Sequence, residues 1–340
     1  MLRFPHRAAM LRAGVVVAAT LAASVVAVAP SAWASDSGNA DTVSLQLPHV
    51  LPLQVTPEDA ERAVEYWTPE RMVAAERATD SGEPTSAPDS SHHTALPSAA
   101  GDEIAESAEG ATATATPVSV AQQVAPVSHI GRVFYTLNGA DHACSANVVQ
   151  SANRSTVATA AHCMTGDGGF SVNSVFVPGY ENGEAPYGSW PVVAGEIAGG
   201  FTENNADQAD DTGFLVVAHN DDDADIVSVV GGSPVLFNQS PTQEGSVFGY
   251  PAAGRFNGET LQTCSGQFEA FANLQQIDLP CDMNEGVSGG PMFEGDSPEG
   301  AQFANEDARY EDYSHIIGPI WQDNEESAYN LAAAVAVSAQ

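Results

Sequence analysis

The stretch Cys281-Asp282-Met283-Asn284-Glu285-Gly286-Val287-Ser288-Gly289-Gly290-Pro291-Met292-Phe293 is the one on which the reading of the whole sequence turns. Ser288 stands between Gly286-Val287 and Gly289-Gly290-Pro291. A nucleophilic serine on a tight turn requires such neighbours. Glycines bend the backbone with no Cβ in the way, and they leave N–H groups free to meet a reacting carbonyl oxygen. A glycine-rich turn around a serine also arises by chance, so the chemistry elsewhere in the chain must decide.

A base for that hydroxyl is offered by Thr156-Val157-Ala158-Thr159-Ala160-Ala161-His162-Cys163, a β-type run that ends in a histidine. Histidine suits the task because its unperturbed pKa lies near neutrality. Ala160 and Ala161 leave room for the ring in a cleft. The plainer reading of the same residues is an exposed histidine beside a structural disulfide. The third member should be a carboxylate that orients the imidazole. Asp211 is the best placed, followed by Thr212-Gly213 and the apolar run Phe214–Val217, with Asp210 and Asp207 as fallbacks.

The 340-residue chain is long enough for two domains, and 43% hydrophobic residues can bury a sizeable core. Ten Arg face 44 Asp and Glu, there is no lysine, and the net charge is -34. That balance excludes a basic nucleic-acid binder. Two readings fit the acidity: a surface that stays soluble where high salt screens self-repulsion, or a field that attracts basic substrates. The even spread of acids along the chain favours the first.

Residues 1–34 read as a secretory signal, with Arg3, Arg7 and Arg12 ahead of the apolar run Ala13–Val28 and an Ala32-Trp33-Ala34 cleavage site. No later segment is apolar enough to span a bilayer, so a secreted, extracellular protein is expected, with no membrane contact once the signal is removed. A monomer is expected as well. Residues 35–79 read as a leader with a helical piece starting at Thr56-Pro57-Glu58-Asp59 and a second helix restarting at Thr68-Pro69. Residues 80–127 are Ser, Thr, Ala, Pro and Glu with few large apolar side chains, the composition of a disordered acidic linker.

From residue 128 to 340 the pattern is short β-type runs separated by turns, which indicates an all-β barrel or sandwich. The runs include Val133–Leu137, Val227–Val230, Val235–Phe237 and Ile316–Trp321, and alanine-rich Ala328–Ser338 reads as a short C-terminal helix. Export places the four cysteines where they pair. Of three connectivities, the sequential one, Cys144–Cys163 and Cys264–Cys281, closes two short loops. No Cys/His spacing suits zinc, so neither a metal nor another cofactor is expected. The acidic run Asn220–Asp225 lacks the pattern of a calcium loop and reads as a solvated turn.

Thr159–Cys163, Asp211–Leu215 and Gly286–Pro291, in that order, resemble the motifs of the chymotrypsin-like (trypsin-like) serine peptidases, with separations of 49 and 77 residues. Gly249-Tyr250-Pro251, Cys264 and Cys281-Asp282-Met283 are similar to the pattern ahead of the serine in secreted bacterial trypsin-like and glutamyl-endopeptidase-like members. The resemblance spans about residues 128–325. It implies two packed six-stranded antiparallel β-barrels and hydrolysis of a protein or peptide substrate. Ser288 would be the nucleophile, His162 the base, Asp211 its orienter, and the N–H groups of Gly286 and Ser288 the oxyanion hole. Asp282, six residues before Ser288, would be a specificity acid for Arg or Lys, and Gly318 a wall of the substrate pocket. Val287 stands where animal trypsins carry the aspartate that pairs with the newly cut N-terminus. An esterase with the same triad, or a binding protein that kept the fold without catalysis, are the rival readings.

Overall fold

The computed structural model describes residues 51–80, 119–166, 169–203, 207–271, 275–310 and 312–338. The expected signal and residues 81–118 of the expected linker lie outside them. Among the described residues no helix is long and apolar enough to cross a membrane.

The leader builds a strand and two helices, β1 (Leu51–Gln54), α1 (Pro57–Tyr66) and α2 (Pro69–Asp80). Thr56 caps α1 by accepting from the Asp59 N–H, Pro57 supplies a fixed φ in the first turn, and Glu58 and Asp59 face the positive end of the helix dipole. Thr68-Pro69 separates the two helices, as the sequence suggested. The chain is described again from residue 119, and β2 (Gln122–Gln123) pairs with Gln262 and Thr263. Residues 119–127, read from sequence as linker, are thus among the described residues, held by the β2 pairing with β12 and by the burial of Ala121.

The first barrel comprises β3 (Ile130–Leu137), β4 (Ala140–Val149), β5 (Thr156–Thr159), β8 (Val172–Pro178), β9 (Trp190–Ile197) and β10 (Gly213–Val217). A small hairpin, β6 (Thr165–Gly166) and β7 (Gly169–Phe170), follows β5. The strands run β8-β3-β4-β5-β10-β9, and Phe176 opposite Trp190 closes β9 onto β8. Val133, Val148, Val157, Phe176, Leu215 and Val217 fill the interior. Alternate residues of β10, Phe214 and Val216, bury on the outer face beneath α5 (Asp323–Ala333). Burial on both faces explains why β10 reads as an unbroken apolar run.

The second sheet holds β11 (Gln243–Gly249), β12 (Gln262–Phe271), β13 (Gln276–Pro280), β14 (Pro291–Glu294), β15 (Gln302–Asn305), β16 (Ala308–Arg309) and β17 (His315–Pro319). Its order is β15-β14-β11-β12-β13-β17-β16, with β2 on β12. It curls until its ends meet at a bridge between Ala304 and Ile320, around Val247, Phe268, Ile277, Leu279, Met292 and Phe303. The architecture is all-β with two barrel-like units, the first closed and the second a curled sheet, and a C-terminal helix.

Two expected strands differ. Val227–Val230 lies in a short helix, α4 (Ile226–Val230), which follows α3 (Gly199–Glu203) in the chain. Asp225 accepts from the Ser228 N–H and starts α4, and this cap outweighs the β preference of the valines. Val235–Phe237 is irregular chain with a single bridge from Val235 to Gln302. The C-terminal helix begins at Asp323, five residues before the alanine-rich run, because Gln322 and Glu325 form a capping box there.

Candidate active site

His162 sits on a 3-10 turn, Ala161–Cys163, that ends β5. The Cys144–Cys163 disulfide ties this turn to β4, and Cys264–Cys281 joins β12 to the approach to Ser288. Replacing both Cys144 and Cys163 by serine should cost about 3 kcal/mol, the chain-entropy value for a loop of this length. Urea unfolding of the variant and parent is the check, and the turn carrying His162 loses its tether to β4 in the variant.

Asp211 follows a 3-10 turn, Gln208–Asp210, and precedes β10. Its Oδ2 lies 2.7 Å from His162 Nδ1, and its Oδ1 accepts the His162 backbone N–H at 2.9 Å. One carboxylate thus fixes both the ring and the main chain of the histidine. Asp211 is buried, whereas the His162 side chain is about one-third exposed, 35% against 5%. Burial opposes charging the ring, but the Asp211 charge and hydrogen bond outweigh it and raise the His162 pKa above the usual histidine value.

A buried latch holds the Asp211 segment from the second sheet. Asn305 Nδ2 donates to the Asp211 carbonyl at 3.0 Å, while its Oδ1 accepts from Thr212 Oγ1 at 2.7 Å and from Trp321 Nε1 at 2.9 Å. The fallback acids lie beside it in other roles. Asp210 accepts from Asn324 on α5, and Asp207 caps the 3-10 turn.

Ser288 occupies the turn expected for it. Gly286 and Gly289 have φ of +93° and +78°, where L side chains are strained. A Cβ on Gly289 would lie 2.1 Å from Thr159 Oγ1, so only glycine permits the approach of the turn to β5. The N–H groups of Gly286 and Ser288 have no acceptor among the described residues. Such a pair of unused donors can receive a developing oxyanion.

The two halves of the site are laced together by Ser145 on β4. Its N–H donates to the Ser288 carbonyl at 2.8 Å. Its hydroxyl donates to the Gly286 carbonyl at 2.8 Å and accepts the Tyr250 N–H at 2.9 Å. Thr159, three residues before His162, donates its hydroxyl to the Ser145 carbonyl at 2.9 Å. Sequence reading missed Ser145, Thr159 and Asn305. Each is an ordinary polar residue in a strand, and the partners named above lie 14 to 143 positions away.

Asp282 is already engaged. Arg255 donates to it from Nε and Nη2 at 2.9 Å, and the Ala121 N–H donates at 2.7 Å. Its charge is paired with the protein's own guanidinium. Gly318 lies in β17, and a Cβ there would meet the Asn305 carbonyl oxygen at 2.0 Å. Its lack of a side chain serves the close approach of β17 to the Asn305 segment. His162 Nδ1 or Nε2 and the sulfurs of Cys144 and Cys163 lie within 4.8 Å of one another, but both sulfurs are bonded in the disulfide and offer no thiolate to a metal. In the acidic run, Asn220 accepts the Asp222 and Ala224 N–H groups and Asp225 pairs with Arg154, as in a self-contained turn.

No protein-family model matches the sequence, and no curated protein matches it either. Among solved structures, the protease Anisep from Arthrobacter nicotinovorans is 41% identical, with a TM-score of 0.60, and the match covers 63% of this chain and 100% of that one. The chain belongs to the chymotrypsin-like serine proteases. A thermostable serine protease, AL20, from an extremophilic microorganism is 38% identical over 61% of this chain and 97% of its own, with a TM-score of 0.56. A Glu endopeptidase, 18% identical over 63% of this chain and 97% of its own at a TM-score of 0.51, shares the fold.

Within this chymotrypsin-like serine protease, the chain just beyond β15 carries acids that sequence reading did not single out. Glu306 is 2% exposed and Asp307 8%. Glu306 brackets the serine turn, donating its N–H to the Gly290 carbonyl at 2.9 Å and accepting the Gly289 N–H at 2.7 Å. Glu306 Oε2 and both carboxylate oxygens of Asp307 are buried without a hydrogen-bond partner among the described residues. Burial pushes both pKa values well above the carboxylate range. Asp211 raises each further, Asp307 also feels Glu306, and for Glu306 the repulsion of Glu285 adds while Arg309 opposes. Arg309 itself pairs with Glu285 on the serine turn.

Proposed function

We propose that this protein is a secreted serine endopeptidase that cleaves peptide bonds through Ser288, His162 and Asp211. The observation that carries the reading is the double hold of Asp211 on His162, through the ring at 2.7 Å and the backbone N–H at 2.9 Å. With Nδ1–H committed to Asp211, Nε2 keeps its lone pair for the serine hydroxyl. Ser288 Oγ attacks the substrate carbonyl as His162 takes its proton. The tetrahedral oxyanion is received by the Gly286 and Ser288 N–H groups, worth on the order of 3 kcal/mol each. His162 then protonates the leaving amine, and the acyl group on Ser288 is released by water that His162 activates. No step needs a metal or another cofactor.

Secretion is supported by the amino-terminal signal pattern and by two disulfides, which persist in oxidising compartments. The substrate is a protein or peptide, and the protein acts as a monomer.

A fluorophosphonate probe tests the reading. It should label the processed protein, and the Ser288→Ala variant should take no label. Equal labelling of the two would falsify the assignment of Ser288. The pH profile gives a second check. Activity requires neutral His162, whose pKa is raised, so kcat/KM should climb through a midpoint above that of an ordinary histidine, about 6.5. An acid limb at or below that value would contradict the Asp211–His162 coupling.

A further inference from the structure

The strand pairing and polar contacts of the leader run to the first barrel. Strand β1 pairs antiparallel with β9, Leu51 opposite Ile197 through Gln54 opposite Ala194, and Val55 donates its N–H to the Val193 carbonyl at 3.0 Å. On that edge of β9, β8 reaches only Trp190 and Pro191. The leader therefore fills the half of the edge that the barrel leaves open. The opposite edge of the same β9 residues pairs with β10, Ile197 facing Gly213, and the Ala198 N–H donates to the Thr212 carbonyl at 3.0 Å. Thus β1 flanks, one strand removed, the strand that starts just after Asp211.

Side chains extend this contact. Leu53 is 5% exposed and joins the first-barrel core beside Cys163 and Met164. Ala63, Trp67, Met72 and Ala75 enter the buried cluster that holds Ile130, Phe134, Val175 and Tyr180. The Trp67 ring lies 5.4 Å from that of Phe134, and its Nε1 donates to the Asn173 carbonyl. Tyr66 donates its hydroxyl to Asp141 at 2.8 Å, and Arg71 pairs with the same carboxylate at 3.3 Å. None of the hydrogen bonds, ion pairs or ring contacts of the leader among the described residues involves His162, Asp211, Gly286 or Ser288.

We infer that residues 51–80 form a resident clamp on the first barrel, retained after the chain is cut between the leader and the protease unit. It is neither a plug of the cleft nor a segment that leaves on maturation. Strand pairing satisfies the open β9 backbone, which on its own would template pairing with another chain. The buried tryptophan anchors the helices, as large aromatic side chains in desolvated pockets dominate most interfaces. The cleft remains open to substrate while the clamp is in place.

The test uses the full chain with Ser288→Ala, so that self-digestion plays no part, and with a recognition sequence for an unrelated protease inserted between residues 80 and 119. After the cut, denaturing gels should show two pieces and native size exclusion a single species containing both. Trp67→Ala in the cut protein should speed leader dissociation by about a hundredfold or more, the scale of losing a buried aromatic anchor. Separate elution of the leader from the parent cut protein would overturn the inference. So would a leader whose dissociation is indifferent to Trp67→Ala.

Discussion

Ser288→Ala should lower kcat for peptide hydrolysis by about 10⁵-fold or more, with a much smaller change in KM. The hydroxyl is the only protein group in the proposed scheme that bonds covalently to substrate, and water without its orientation replaces it poorly. Asp211→Asn should cost on the order of 10⁴-fold, through the tautomer rather than the position of the ring. An asparagine amide at that place would donate toward Nδ1 and push the imidazole proton onto Nε2, where the serine needs an acceptor. The backbone hold through Oδ1 at 2.9 Å can survive the change, so the variant should fold. Combining the two substitutions should cost little more than Ser288→Ala alone, because the residues act as a unit. Initial rates on a fluorogenic peptide measure all three, and additive losses would argue that Asp211 acts apart from Ser288.

The second large effect is on stability, and its sign is opposite to the usual one for carboxylates. Burial pushes Glu325 up to about 8, with a hydrogen bond from the Gln322 N–H opposing and Asp210 adding to the rise, while Glu306 and Asp307 lie well above their normal range. In each case the folded state prefers the neutral carboxyl. The stability they contribute is fully present below the unfolded carboxylate pKa and is lost as pH rises through the folded values, near 8 for Glu325. The raised His162 works in the same direction. A displacement like that of Glu325 corresponds to roughly 5 kcal/mol. For a domain of this size that is on the order of ten degrees in Tm. The Ser288→Ala protein should therefore melt highest near pH 5 and lose about ten degrees by pH 9. Glu325→Gln keeps an acceptor for the Gln322 N–H and should flatten much of that slope. A melting point that rises from pH 5 to pH 9 would refute the account.

How much of this was legible in the sequence follows from the range of the interactions. The turn of Ser288, the strand ending at His162 and the carboxylate ahead of β10 are written in contiguous residues, because glycine conformations and apolar runs are local. The helix start at Thr56-Pro57 was legible for the same reason. Strand β9 was not, since Pro191 and Gly195 interrupt its apolar residues and its order comes from three neighbouring strands. The valines of α4 gave the wrong period because a single cap at Asp225 decides a five-residue helix. Asp282 looked available only until Arg255, 27 positions away, was seen to hold it. Glu306 and Asp307 were invisible because acids are abundant in this chain and nothing local marks which of them become buried.

Ser145 has a consequence for anyone who would build hybrids from this protein and its relatives. Its backbone and hydroxyl belong to the first barrel, yet they hold the carbonyls of Ser288 and Gly286 and the N–H of Tyr250 in the second. The two barrels are thus not interchangeable modules joined by a seam of generic apolar contact. A chimaera taking one barrel from a donor without a hydroxyl at this position would assemble, bury its cores and still present a misaligned nucleophile.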